Sequence, residues 1–279
     1  MAILLALMAA LSYGASDFAA GLASRKIAAG PVTAAVSALT LLTAVVSVLI
    51  FPGDSPSSSA LAWGAASGLG TALGTLSLYR GLAVGRMSLV ATLSAVLAAI
   101  VPAIVGLALG EHLGALAMAG IVISLPAIAL MSWQPDPDAR KSARAGVIYG
   151  GLAGLGFAML FIGLDQAGTD AGAWPVIPGQ LVALVLVAPF AYRGFGTVGK
   201  LDRSSIQLTL GAGVLSGAAN LLFLAATGHG QLAVVAVLTS LYPAVTVLLA
   251  RIFLAEHSSR IQIVGLVMAF GAIVMVSVG

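Results

Sequence analysis

Long apolar runs, separated by short polar interruptions, fill almost the whole chain. Each run is about 20 residues long, which is the length that crosses a bilayer as a helix. The polar interruptions are short except at residues 53–59 and 134–144, which are rich in turn-forming and charged residues. We therefore expect an all-α membrane protein. The runs predict ten transmembrane helices, near residues 2–23, 31–51, 60–82, 87–109, 114–132, 144–165, 173–192, 206–227, 231–254 and 261–278.

The apolar pattern repeats itself halfway along the chain. Residues 85–112 recur 145 positions later as residues 230–257, with the same length and the same Glu-His ending. A period of half the chain indicates an internal duplication. Each copy holds five spans, an odd number, so the second copy must enter the membrane from the opposite side.

Inverted repeats of this kind are typical of secondary transporters, which bind their substrate near the middle of the membrane. We predict a first five-helix repeat at residues 1–133, a cytoplasmic linker at residues 134–143 and a second, inverted repeat at residues 144–279.

Composition agrees with the membrane assignment and narrows the chemistry. The chain is 60% hydrophobic and 8% charged, whereas soluble domains carry about 25% charged residues. It has no cysteine, which excludes disulfides and thiolate metal sites. The sequence contains no phosphate-binding loop, zinc-protease or serine-hydrolase motif. We therefore expect no cofactor, no metal and no enzymatic activity.

The cations indicate an orientation. All twelve Lys and Arg residues lie in or beside odd-numbered loops, and the positive-inside rule places such loops in the cytoplasm. Both termini are then extracytoplasmic, and we expect a multi-pass protein of the bacterial inner membrane. The basic residues set orientation, so no nucleic-acid partner is predicted. A monomer is one option, and the sequence leaves the oligomeric state open.

Two charged residues near the membrane are candidates for coupling or gating. Asp17 lies well inside the first apolar run, where a carboxylate costs about 2.5–3.5 kcal/mol and is a functional candidate by default. One interpretation is that Asp17 couples transport to the binding of a proton or substrate. The other is that it forms an ion pair with Arg25 or Arg80 near the cytoplasmic end. Arg80 either snorkels to the interface or gates the pathway with Asp17.

Span nine carries a polar stripe beside a proline. Thr239, Tyr242 and Thr246 share one helical face, and Pro243 frees a backbone carbonyl one turn earlier. This face either lines a substrate cavity or satisfies its own helix backbone. On span eight, Asn220 is either a clamp between helices or a ligand contact, because a buried amide needs partners.

The sequence Leu-Thr-Ser-Leu-Tyr-Pro at residues 238–243, the later Glu256 and its echo Glu111 resemble the EamA family of the drug/metabolite transporter superfamily. The resemblance covers essentially the whole chain and implies a metabolite exporter, with amino-acid exporters as the nearest type. The first repeat departs from the pattern, because Ala98 stands in the place of Pro243 and Pro102 follows one turn later.

We therefore predict a secondary transporter that exports small metabolites by alternating access through a central, largely apolar cavity. Amino acids, either aromatic and apolar or small and neutral, are the first choice of substrate. A flippase of lipid-linked precursors and an exporter of nucleosides or drug-like compounds are the alternatives, and an intramembrane enzyme or a structural subunit are readings from other classes. The expected partners are a small-molecule substrate and the lipid bilayer. The candidate substrate-binding residues are Tyr13, Thr75, Tyr79, Ser94, Phe157, Phe161, Asn220, Phe223, Thr239 and Tyr242, the coupling or gate candidates are Asp17 and Arg80, and the hinge candidates are Pro243 and Pro102.

Overall fold

A computed structural model describes seven stretches of the chain, residues 1–24, 26–51, 53–84, 87–131, 143–195, 202–253 and 259–278. Their regular secondary structure is helical throughout. The helices are α1 (Ala2–Ser24), α2 (Ala29–Ile50), α3 (Ser58–Val84), α4 (Met87–Ala108), α5 (Ala115–Met131), α6 (Ala143–Ala167), α7 (Val176–Phe195), α8 (Arg203–Thr227), α9 (Leu232–Thr239), α10 (Tyr242–Phe253) and α11 (Arg260–Val278).

The predicted fold class and the ten spans are confirmed. Spans one to eight and span ten are single helices. Span nine consists of α9 and α10, which are separated by Ser240 and Leu241. Within the described residues, five helices are long and apolar enough to cross a membrane by themselves. They are α1, α2, α7, α8 and the part of α6 that begins at Arg144.

The predicted linker lies almost entirely outside the described residues, so the boundaries of the two repeats stay a prediction. Helix packing nevertheless follows the order expected of a duplicated chain. Helix α1 packs on α8, and their counterparts five spans away, α6 and α3, also pack on each other. Likewise α4 packs on α6, and the counterparts of these two, span nine (α9 and α10) and α1, pack on each other.

Glycines let several of these helices approach until their backbones touch. A methyl group on Gly156 of α6 would meet the Cα atom of Gly74 at 2.7 Å and the carbonyl oxygen of Gly70 at 2.8 Å. A methyl group on Gly179 of α7 would lie 2.7 Å from the carbonyl oxygen of Gly64 on α3. Small residues at such crossings allow close van der Waals packing between helices. This packing matters because no hydrophobic driving force brings helices together in lipid.

The buried apolar side chains form two main clusters at opposite ends of the bundle. The larger, which we call the even-side cluster, is built mostly from helix segments next to even-numbered loops and includes Ala6, Leu164, Phe223 and Leu238. The smaller, the odd-side cluster, is built from segments next to odd-numbered loops and includes Ala20, Ala23, Val32 and Val90. The middle of the bundle lies between them.

On the even-loop face, Glu111 ties the end of span four to the start of span nine. Its carboxylate accepts hydrogen bonds from the backbone N–H groups of Leu232 and, at 2.9 Å, Ala233. The side chain of Gln231 donates to the carbonyl oxygen of His112 at 2.9 Å. A carboxylate suits this place, since the first N–H groups of a helix have no partner within it and carry partial positive charge.

We expect Glu111→Ala to destabilise the protein by about 1–3 kcal/mol, because it leaves two helix-end N–H groups without their charged acceptor. The melting temperature in detergent should fall by several degrees. Gln231→Ala is the matched control, because it removes the neighbouring hydrogen bond and leaves the carboxylate in place. Equal melting temperatures for Glu111→Ala and the control would contradict a specific role of the carboxylate.

The described part of the odd-loop face holds one ion pair. Lys26 Nζ lies 2.7 Å from Asp202 Oδ2, and the other carboxylate oxygen of Asp202 accepts from the backbone N–H of Ser205 at 3.1 Å, which caps α8. The hydrogen bonds from Lys26 and Ser205 lower the pKa of Asp202 to about 2. The pair therefore stays charged well into the acidic range.

Candidate functional site

A cavity of about 40 Å³ lies in the middle of the bundle, between the even-side and odd-side clusters. Its wall comes from both halves of the chain, with α1, α2 and α3 on one side and α6, α8 and α10 on the other. The polar groups at its surface are phenols, hydroxyls, an amide and a carboxylate. The lining residues are Tyr13, Ser16, Asp17, Val36, Thr71, Thr75, Tyr79, Phe157, Leu160, Phe161, Ser216, Asn220 and Tyr242.

Eight of the residues singled out from the sequence are brought together at this cavity. They are Tyr13, Asp17, Thr75, Tyr79, Phe157, Phe161, Asn220 and Tyr242. They come from α1, α3, α6, α8 and α10, so no local stretch of sequence contains the site. The twofold pairing of helices explains the convergence, because it places the corresponding spans of the two repeats around one centre.

A hydrogen bond across the cavity wall joins α1 to α8. The hydroxyl of Tyr13 donates to the side-chain oxygen of Asn220, so Asn220 clamps two helices while it also faces the cavity. Phe161 stands next to Tyr13, with ring centroids 6.0 Å apart, and stacks on Phe223 at 4.4 Å. Phe161 and Phe223 belong to the even-side cluster, and this aromatic layer forms an apolar end of the cavity.

Asp17 is the one acidic residue in the described cavity lining, and no Lys, Arg or His stands with it there. Arg80 is exposed at the end of α3, and the described residues contain no ion pair between it and Asp17. Arg25, the other suggested partner, lies outside the described residues. The carboxylate therefore faces the cavity without a described cation beside it.

The threonines near the cavity donate to backbone carbonyl oxygens, either of their own helix or of α1. Thr75 donates to the carbonyl oxygen of Thr71 at 2.7 Å. Thr246 donates to the carbonyl oxygen of Gly14 at 3.1 Å, and Thr239 makes a long contact of 3.5 Å with that of Ala6. Thr239 and Thr246 thus join span nine to α1 and are not part of the described lining.

Other candidates from the sequence lie behind the cavity wall. Ser94 and Phe223 are fully buried and belong to the second layer of side chains. The two hinge candidates differ from each other, since span nine is interrupted just before Pro243 whereas α4 runs unbroken through Pro102. Arg80 lies away from the cavity.

Five lining residues carried no signal in the sequence. They are Ser16, Val36, Thr71, Leu160 and Ser216. Serine, threonine and aliphatic residues occur all along these spans, and only the rotation of each helix decides which of them face the cavity. Ser16 also donates to the carbonyl oxygen of Ala212 at 2.8 Å, which fixes α1 against α8.

Comparison with known proteins gives two findings. The model of the EamA-like transporter family matches residues 144–278. A crystal structure titled only as that of a protein superposes on 99% of this chain and 96% of its own, with a TM-score of 0.74 and 16% sequence identity. At that identity the structure shows a shared fold over the full length. No match to a curated protein sequence was found.

Proposed function

We propose that this multi-pass membrane protein exports small amphipathic metabolites by alternating access, because residues 144–278 match the model of the EamA-like transporter family. The observation that carries the proposal is the central cavity, whose wall is contributed by both halves of the chain. Amino acids are our first choice of substrate. The proposed binding residues are those of the described lining, and Asp17 is the residue proposed to bind a positively charged group of the substrate.

The chemistry of the lining supports an amphipathic substrate. Tyr13, Phe157 and Phe161 offer aromatic surface, and hydroxyl and amide groups offer a few hydrogen bonds. Binding sites for small molecules are commonly of this type, mostly apolar with a few placed polar groups. An amino acid would set its ammonium group near Asp17, its carboxylate on hydroxyl donors and its side chain on the aromatic rings.

A second substrate class is favoured by the charge of the lining. The described residues place one carboxylate at the cavity and no cationic side chain. A buried charge is costly unless it is paired, so a cationic amine would leave no charge unpaired, whereas the carboxylate of an amino acid relies on neutral donors. Organic amines are therefore the second candidate.

The alternation itself is supported by the two apolar clusters that border the cavity. Each packs mostly small and aliphatic side chains on one side of the cavity. Rocking of the two halves would separate one cluster while it preserves the other, which is the usual motion of transporters built from repeats. We propose that odd-numbered loops face the cytoplasm, because the cations lie there.

Counterflow in proteoliposomes tests the proposal. Vesicles that contain the purified protein are loaded with an unlabelled compound, and uptake of the labelled compound is followed for amino acids, amines, nucleosides and sugars. Transient accumulation of amino acids or amines would support the proposal and separate its two substrate classes. Accumulation of nucleosides or sugars alone would contradict the substrate, and no accumulation of any class by folded protein would contradict metabolite export.

We expect Asn220→Leu to lower counterflow by up to about tenfold, because it removes a hydrogen bond worth about 0.5–1.5 kcal/mol and a polar group of the cavity. Tyr13→Phe, which removes only the donor, should give a smaller loss. Val214→Leu is the matched control on the same helix, because that side chain is 54% exposed on the outer surface. Unchanged counterflow in both cavity variants would remove the pair from the site.

A further inference from the structure

Span nine is interrupted in the middle of the membrane, and the interruption changes its backbone hydrogen bonds. The N–H of Leu241 donates to Leu238 at 3.2 Å, and the N–H of Ala244 donates to Leu241 at 2.9 Å. Both bonds span three residues and not the four of an α-helix. The carbonyl groups of Val237 and Ser240 therefore lose the donors that a continuous helix would supply.

Pro243 removes a third donor. The residue has no N–H, so the carbonyl oxygen of Thr239, four positions earlier, cannot receive its helical hydrogen bond. The carbonyls of Val237, Thr239 and Ser240 are thus gathered within one turn of an interrupted helix. Thr239 and Ser240 are fully buried, so lipid and bulk water do not reach this turn. An unsatisfied carbonyl at such depth costs several kcal/mol.

Two buried hydroxyls belong to span nine and to α4, the helix that packs against α9. Ser240, inside the interruption, and Ser94 on α4 are both 0% exposed. Among the described residues, neither hydroxyl oxygen makes a hydrogen bond of normal geometry. The Ser94 hydroxyl is directed at the phenol of Tyr242, the first residue after the interruption. Buried polar groups in proteins are nearly always satisfied, so this pair calls for a ligand.

We infer that the interruption of span nine binds an alkali cation, Na⁺ or K⁺. Unwound backbone carbonyls inside a transporter are suited to monovalent cations, because their oxygens replace the hydration shell of the ion. The proposed ligands are the carbonyl oxygens of Val237, Thr239 and Ser240 together with the hydroxyls of Ser240 and Ser94.

The available donors favour a monovalent cation over a divalent one. Ca²⁺ and Mg²⁺ are usually held by carboxylates, and the described residues contain no group of three His, Cys, Asp or Glu side chains that could hold a metal. Neutral oxygens compensate a single positive charge more easily. Tyr242 lines the same cavity as Asp17, so one carboxylate is present in the cavity that the site borders.

The position of the site gives the cation a role. Span nine connects the even-side cluster, through α9, to the cavity, through Tyr242 of α10. A cation held at the interruption would fix the angle between α9 and α10. It would therefore stabilise one arrangement of the bundle over the other, which is how a bound ion biases a two-state equilibrium.

Thermal unfolding of the purified, full-length protein tests the inference without any transport substrate. Melting is measured in NaCl, KCl and MgCl₂ at equal ionic strength. We expect one alkali chloride to raise the melting temperature by about 2–4 °C over MgCl₂ in a saturable manner, as ligand binding to the folded state requires. Equal melting temperatures in all three salts would overturn the inference.

Substitutions locate the effect. Ser240→Ala and Ser94→Ala should each raise the cation concentration for half-maximal stabilisation by at least about tenfold, because each removes one proposed ligand. Ser124→Ala is the matched control, since that buried serine already donates to Ile121 at 2.6 Å on α5. Stabilisation that persists unchanged in both ligand variants would overturn the assignment. Because the readout is melting, its failure leaves the proposal of metabolite export untouched.

Discussion

Gly156→Val is expected to be among the most destructive single substitutions in the described part of the chain. The new side chain would project from α6 into the backbone of α3, where Gly70 and Gly74 already lie in contact with it. Backbone cannot move aside as the end of a flexible side chain can. Overpacking in a well-packed core usually costs about 1–3 kcal/mol, and here two helices must separate, so we expect the upper end of that range or more.

The consequence should be visible as loss of folded protein. We expect Gly156→Val to give little monodisperse material in detergent and a melting temperature lower by about 6–12 °C. Gly151→Val is the matched control on the same helix, because a methyl group at Gly151 would meet nothing within 4 Å. If both variants melted alike, helix propensity and not the contact between α3 and α6 would be responsible.

The second large effect is expected for Asp17→Asn. The substitution keeps the size of the side chain and removes the one carboxylate of the described cavity lining. A hydrogen bond to a charged group contributes about 1.5–3 kcal/mol, which corresponds to an affinity change of about ten- to hundredfold. We expect the concentration of an amine-bearing substrate at half-maximal counterflow to rise by that factor.

The folded protein should tolerate this change. A carboxylate in the membrane is costly, and none of the described residues forms an ion pair with Asp17. We therefore expect the melting temperature of Asp17→Asn to equal that of the unsubstituted protein or to exceed it. Such a combination of lost affinity and retained stability would identify Asp17 as a binding residue and not a structural one.

Asp165→Asn is the control for the loss of charge alone. Asp165 also lies on a spanning helix, α6, but it accepts from Gln166 at 2.9 Å and does not line the cavity. Its substitution should leave the half-maximal concentration within about twofold of the original value, as for a site without substrate contact. Unchanged transport in Asp17→Asn would remove the carboxylate from the proposed mechanism.

The two largest predictions address different parts of the molecule. Gly156 tests whether the close crossing of α3 and α6 holds the bundle together, and it makes no assumption about the substrate. Asp17 tests what the bundle encloses. If Gly156→Val folded normally and Asp17→Asn lost affinity as expected, the proposed site would stand, and the crossing of α3 and α6 would accept larger side chains than proposed.

The apolar pattern along the chain was sufficient to predict the class of protein and the number of spans. Apolar runs of about 20 residues can be satisfied only in a bilayer, where each backbone must form its own hydrogen bonds as a helix. The offset of 145 positions between the two Glu-His endings indicated the duplication. The missing N–H of Pro243 was also evident locally, but α4 runs unbroken through Pro102, so the proline alone does not account for the interruption of span nine.

Which polar groups lie in contact depends on how the helices pack. Tyr13 and Asn220 are 207 positions apart and share a hydrogen bond, whereas Thr239 and Thr246, on the same apparent stripe, turn toward the backbone of α1. Nothing in the local pattern separates these cases. Spans in lipid are apolar all round, so their sequences carry little record of which face turns inward. The facing residues are fixed by close contacts at glycines such as Gly156 and Gly179, and those contacts exist only once the helices are packed.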